Sequence, residues 1–171
     1  MTVVAITGHR PEKIKNFAWV EETLAEVLVE LKPQFIIQGM AAGVDLLAAE
    51  IAHANNIPYI AARPWATHTG REGSKYPWTL ENAAAVVTVS PATTYAGPWV
   101  YQRRNEYMVD HATVVVAVWD GSASGTKNCV VYANRNGVPV IRINPVTKTV
   151  TYPEPEPELE KTEPDTQLFL F

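Results

Sequence analysis

Glycines, arginines and small polar residues gather at four places in this chain, in patterns suited to holding an anion. They are Thr7-Gly8-His9-Arg10-Pro11, Gly39-Met40-Ala41-Ala42-Gly43-Val44-Asp45, Arg63-Pro64-Trp65 and Trp119-Asp120-Gly121-Ser122-Ala123-Ser124-Gly125-Thr126. Glycine lets a backbone approach an anion without a Cβ in the way. Where such a loop runs into a helix, the free amides and the positive end of the dipole suit a phosphate or carboxylate. Arg10, Arg63 and Arg104 add charge-assisted, bidentate donors. Neither a GxGxxG nor a GxxxxGK[ST] pattern is present in these loops, so neither common nucleotide fingerprint applies.

Each residue also has a plainer reading. Asp45 can cap its helix. Arg104 can pair with Glu106 or Asp110, and Arg103 and Arg104 cannot both face one site from a helix. His9, His53, His68 and His111 show no metal-ligand spacing, so no metal is expected. Trp65, Trp78 and Trp99 can pack a loop rather than stack on a base.

The elements that must position these groups follow from periodicity. Val3–Thr7 reads as a buried strand ending at Gly8, and 16–32 as a helix stopped by Pro33. Phe35–Gln38 is a strand, Val44–Asn55 a helix and Tyr59–Arg63 a strand. A long Pro/Trp/Gly/Thr-rich loop over 64–78 is of a length that usually serves function. A short helix over 79–85, a strand at Val86–Val89, a loop over 90–98 and a helix at Trp99–Asp110 come next. Val114–Val118 is a strand, 128–136 a helix, Val138–Ile143 a strand and Thr147–Thr151 an edge strand. Alternating strands and helices predict a Rossmann-like α/β three-layer sandwich with a mainly parallel sheet over residues 1–151. In such sheets ligands bind beyond the carboxyl ends of the strands, where the four loops fall.

Composition narrows the function classes. The chain has 171 residues, 47% of them apolar, which suits one domain with a real core. No apolar run is long enough for a membrane span, and the first residues carry no basic leader pattern. With one cysteine, Cys129, a disulfide framework is not expected and a cytoplasmic location is. The acidic surplus sits in 152–171, which leaves 13 basic and 12 acidic residues before it. A near-neutral domain predicts no strong nucleic-acid binding.

The pieces TGHRPEK, GMAAGVD, RRNEYMVDHATVVVAVWDGSASGT and NCVVYANRNGVPVIRINP resemble, over about residues 2–145, the YpsA-like branch of the SLOG superfamily. That superfamily also holds the DNA-processing protein DprA (Smf) and the cytokinin-activating LOG enzymes. The resemblance implies a modified Rossmann fold that senses or processes a nucleotide-related ligand, and a homo-oligomer. It places one loop at Gly8 and Arg10, a second over Gly39 to Asp45, an arginine helix at Arg104-Asn105, and a phosphate loop at Asp120-Gly121 and Gly125-Thr126. Residue chemistry and resemblance together nominate Thr7, Gly8, Arg10, Gly39, Met40, Ala41, Gly43, Asp45, Arg63, Arg104, Asn105, Asp120, Gly121, Ser124, Gly125, Thr126 and Asn128 as ligand-binding residues. The pattern departs from LOG phosphoribohydrolases, which resemble PGGxGTxxE: here Cys129 stands where that acid would be. Nucleotide N-glycosidic hydrolysis is therefore an alternative, with Asp45, Glu106 and Asp120 as candidate acids, and DprA-like single-strand DNA binding is another.

From Pro153 the chain becomes PEPEPELEKTEPD, which cannot bury a core and predicts a disordered acidic linker over 152–166. The closing Gln167-Leu168-Phe169-Leu170-Phe171 resembles the QLxLF peptide that docks bacterial replication proteins on the DNA polymerase sliding clamp. The expected contacts are Gln167, Leu168, Leu170 and Phe171, with apolar anchors entering a preformed groove. The alternative is that this apolar end folds back onto its own domain.

Overall fold

The computed structural model describes residues 1–154, so most of the 152–166 linker and the whole 167–171 peptide lie outside the described residues. In chain order the elements are β1 (Val3–Gly8), a 3-10 turn (Pro11–Lys13), α1 (Phe17–Leu31), β2 (Phe35–Gln38), α2 (Val44–Ala54), β3 (Tyr59–Arg63) and α3 (Tyr76–Asn82). Then come β4 (Ala85–Thr88), α4 (Trp99–Asp110), β5 (Val114–Val118), α5 (Gly125–Arg135), β6 (Val140–Asn144) and β7 (Thr149–Thr151).

The seven strands form one sheet in the order β4-β3-β2-β1-β5-β6-β7. All pairings are parallel except that of β7, which lies antiparallel on β6. The Rossmann-like α/β fold expected from the sequence is the fold observed. Strands β1 and β5 are apolar almost throughout because helices cover both faces. Alternate side chains serve the two faces. Val4, Ile6, Val114, Val116 and Val118 pack with Val20, Leu24 and Leu28 of α1 and with Ala48 and Ala52 of α2. Val3, Ala5 and Val115 pack on the other side with Met108 and Val109 of α4 and Cys129 and Ala133 of α5.

The chain runs outward from β1 through β2 and β3 to β4, then returns to place β5 against the other side of β1. Strand order therefore reverses between β1 and β5. The loops after these two strands diverge to opposite faces and leave a crevice at their carboxyl ends.

Two element boundaries differ from the sequence reading in ways that matter. Helix α3 starts at Tyr76 rather than at 79 because Pro77 sits in its first turn, where a missing N–H costs nothing. Helix α5 starts at Gly125 rather than at 128, because the Ser124 hydroxyl caps it by accepting from the Lys127 amide at 3.2 Å. Gly125 and Thr126 are thus the first turn of a helix and not part of the loop before it.

Candidate functional site

The cleft at the β1/β5 reversal has a volume of about 590 Å³. Its wall is built by the β1 loop (Thr7 to Arg10), Lys13 of the 3-10 turn, the β2–α2 loop, the Thr69–Arg71 stretch, the inward side of α4, and the start of α5.

Arg104 and Asp45 set the geometry of one wall, acting through a single peptide. Arg104 Nη1 donates to the Gly39 carbonyl at 2.7 Å, and the Gly39 amide donates to Asp45 Oδ2 at 3.1 Å. The Ala41 amide donates to the same carboxylate oxygen at 3.2 Å, and Arg104 Nε donates to Asn105 Oδ1. Both charged residues are buried. The β2–α2 loop is thereby folded back on itself, with its amides turned toward Asp45. Between them Met40 takes a left-handed conformation, φ 62°. That conformation is uncommon for a side chain of this kind. The Gln38 amide group holds it there, accepting from the Met40 amide at 2.7 Å and donating to its sulfur at 3.1 Å.

The glycines of the first two loops are close-approach positions. A Cβ on Gly8 would lie 2.5 Å from Val44, and one on Gly39 2.7 Å from Arg104 Cδ. A Cβ on Gly43, at φ +97°, would lie 2.5 Å from the His9 carbonyl. These contacts let the β1 loop, α2 and Arg104 meet at one point.

The opposite wall is the start of α5. The Lys127 amide is taken by Ser124 Oγ and the Asn128 amide by the Ser124 carbonyl. The amides of Gly125 and Thr126 find no acceptor among the described hydrogen bonds, and both residues line the cleft. The Asn105 side chain ties α4 to this turn by donating to the Gly125 carbonyl at 3.4 Å. Four cationic residues line the cleft, Arg10, Lys13, Arg71 and Arg104, against one carboxylate, Asp45. Arg71 is partly offset by its ion pair with Glu12.

Of the residues nominated from sequence, the structure brings Thr7, Gly8, Arg10, Met40, Ala41, Asp45, Arg104, Asn105, Ser124, Gly125, Thr126 and Asn128 together on the cleft wall. Gly39 and Gly43 lie behind it as packing positions. Asp120 and Gly121 do not line the cleft. His9 Nε2 accepts from the Asp120 amide at 3.1 Å, and Gly121 packs beside Arg142, which lies over the Trp119 ring. Arg63 lines an adjoining recess instead. Glu106 is met by Gln102 on α4, and Asp110 accepts from Tyr132. Of the adjacent arginines only Arg104 turns inward, while exposed Arg103 lies over the Trp99 ring. Trp65 packs edge-on against His68, Tyr95 and Tyr101.

Sequence reading passed over Tyr101 and Met108, which line the cleft. With Arg104 and Asn105 they stand at i, i+3, i+4 and i+7 on α4, and that spacing alone marks them as one face. His9, also outside the nominated set, is buried and lines the cleft.

Burial raises the Asp45 carboxyl from 3.8 to about 6, against the opposing pull of Arg104 and of the Ala41 and Gly39 amides. An acid whose pKa is higher in the folded state holds its proton more firmly there. Its contribution to stability is therefore most favourable below the unfolded value, near pH 4, and declines as pH rises through about 6. The whole decline is on the order of 3 kcal/mol. The stability of the wild type relative to Asp45→Asn is expected to fall by roughly 2–3 kcal/mol between pH 4 and pH 7 in urea titrations. A difference that stays flat, or rises with pH, contradicts the placement of this carboxyl.

A family model for the "YspA, cpYpsA-related SLOG family" matches residues 2–68. The uncharacterized SPbeta prophage-derived protein YoqJ of Bacillus subtilis (strain 168) is 33% identical over 141 residues, covering 72% of this chain and 80% of the relative. Among solved structures, DNA processing protein A (DprA) from Streptococcus pneumoniae superposes with a TM-score of 0.69 at 20% identity. The match covers 84% of this chain, which spans half of the pneumococcal protein's length. The molybdenum cofactor binding protein of Rippkaea orientalis superposes with a TM-score of 0.58 at 18% identity, over 82% of this chain and 75% of that one. At these identities the two structures share the fold. The identity and extent of the YoqJ match, with the family model over the first part of the chain, place this chain in the YspA, cpYpsA-related SLOG family.

Proposed function

We propose that the protein binds a phosphate-bearing, nucleotide-type ligand in the cleft between the β1 and β5 loops. The phosphate sits on the first turn of α5, and the organic part extends across Met40 toward Tyr101. One observation carries this reading: Gly125 and Thr126, whose amides have no acceptor among the described hydrogen bonds, line the same cleft as Arg10, Lys13 and Arg104. A helix start with open amides and nearby cations is a preformed anion site. The SLOG fold and small-ligand binding by a fold neighbour fit the same role.

The site favours binding over hydrolysis. N-glycosidic cleavage needs a carboxylate beside the ribose. Asp45 is the one carboxylate on the described cleft wall, and its Oδ2 is already engaged by two backbone amides. Glu106 and Asp120 do not line the cleft. At the LOG acid position Cys129 is fully buried, its thiol pushed up to about 11 by that burial.

A second reading is single-stranded nucleic acid, favoured by the likeness to a DNA-processing protein and by Trp99, which is 48% exposed beneath Arg103. Exposed aromatics with arginine are stacking platforms for unpaired bases.

Gly125→Asp separates folding from binding. A Cβ there meets nothing within 4 Å, and an acid in the first turn suits the helix dipole. The variant is expected to melt no lower than the wild type yet to bind adenosine 5′-monophosphate at least tenfold more weakly by isothermal titration. Equal affinity in the two proteins rules out the α5 turn as the phosphate seat. Binding of a short oligonucleotide that is lost in Trp99→Ala, with no monophosphate binding, transfers the role to the second reading.

We further propose that Gln167, Leu168, Leu170 and Phe171 tether the domain to the sliding clamp. Support comes from the residue pattern alone. Deletion of 167–171 is expected to abolish clamp capture in a pull-down and leave the melting temperature unchanged. Clamp capture that survives the deletion overturns the tether, and a lowered melting temperature counts for an end that folds back.

A further inference from the structure

Beside the main cleft lies a second recess of about 450 Å³, separated from it by the loop after β3. The two share His68, Thr69, Gly70 and Arg71 as a common wall. The floor of the recess holds Arg63, at the carboxyl end of β3, and Tyr76, at the start of α3.

The guanidinium of Arg63 is under-used by the protein. Of its five N–H donors, the described hydrogen bonds engage only one at Nη2, which donates to Thr88 Oγ1 at 3.0 Å. Its Nε is buried with no partner, the only such side-chain atom among the described residues. No described carboxylate pairs with it. Glu72, on the rim of the recess, is exposed and makes no ion pair with Arg63. Arg104 differs: its donors go to Gly39 and Asn105, and Asp45 shares its surroundings. A buried donor without an acceptor is costly and marks a place where a partner is missing.

Two further polar groups of the recess, Tyr76 and His68, are taken up with each other. The Tyr76 hydroxyl donates to the His68 carbonyl at 2.7 Å, and His68 Nδ1 lies 2.8 Å from the same hydroxyl. With the hydroxyl proton committed to that carbonyl, Nδ1 carries the proton toward Tyr76 and the ring stays neutral with Nε2 as its acceptor. Burial pushes the His68 pKa down to about 4, and the charges of Arg104 and Arg63 push in the same direction. His68 therefore adds no further cation near neutral pH, and the positive charge of the recess is that of Arg63 and of Arg71, the latter ion-paired with Glu12. Thr69 and Ser74 add hydroxyl-bearing residues to the lining, while the Thr67 hydroxyl donates to the Thr93 carbonyl.

We propose that this recess is a second anion subsite, in which Arg63 holds an oxyanion, phosphate or carboxylate, of the same ligand whose first phosphate sits on α5. The inference rests on the nucleotide reading of the main cleft and narrows it. A ligand reaching both places carries two separated acidic groups, joined by a part that lies along His68 and Thr69.

The test follows nitrogen-bound protons in the full-length, ¹⁵N-labelled protein during separate titrations with inorganic phosphate and acetate. Arg63→Gln identifies the Arg63 Nε–H signal by its loss, and the Gly125 and Thr126 amides report on the main cleft. The Arg63 signal is expected to shift saturably with phosphate, and to do so equally in Gly125→Asp. A matching shift with acetate widens the subsite to carboxylates; a shift with phosphate alone restricts it to phosphoryl groups. An Arg63 signal that stays put with both anions while Gly125 and Thr126 move overturns the second subsite and leaves the nucleotide reading standing. Movement of Arg63 alone keeps the subsite and removes the α5 seat. No movement at either place removes both.

Discussion

The Gly39 peptide is gripped from both ends, and the site depends on that grip. Its carbonyl receives Arg104 and its amide gives to Asp45. Two opposite charges are thus buried close together without a direct ion pair, each satisfied through the same peptide group. Burying either charge alone would be strongly unfavourable. The position must be glycine, since any Cβ would enter the Arg104 side chain. Helix α4, which carries Arg104, is thereby fixed to the β2–α2 loop across the carboxyl edge of the sheet. The cleft between them has a defined width before any ligand arrives, and preorganisation of this kind limits the ordering cost of binding.

Topology supplies the other half. Because strand order reverses between β1 and β5, the chain cannot fill the space above those strands, and the loops that leave them must part. The start of α5 faces that gap. Its capping residue, Ser124, satisfies only the third amide of the turn and leaves the first two open. The anion affinity proposed for the cleft would then be a property of helix ends in general, placed where a parallel sheet leaves room.

Much of this was legible in the sequence. The apolar strands VVAIT and VVVAV and the helix spacing of α1 and α2 fix an α/β layering, because a fully apolar strand requires cover on both faces. The loops with glycine and arginine fell at the carboxyl edge because that is where such a sheet exposes backbone. What stayed hidden was direction. Nothing in GMAAGVD says that its amides turn inward to Asp45 rather than outward to a ligand; that depends on Arg104, 65 residues away, reaching Gly39. Likewise the pattern DGSASGT does not reveal that Asp120 is drawn off toward His9, since their meeting is a consequence of the β1–β5 pairing. Arg63 shares the carboxyl edge with the other nominated residues but opens into a neighbouring recess, a distinction made by the fold of the loop that follows it.

The most direct test of the account is a crystal structure of the protein soaked with adenosine 5′-monophosphate. The account places the phosphate oxygens within about 3 Å of the Gly125 and Thr126 amide nitrogens, with Arg10 or Lys13 turned toward them. A nucleotide whose phosphate lies instead on the Gly39–Ala41 amides, with Asp45 displaced, or one bound outside the β1/β5 cleft altogether, contradicts it.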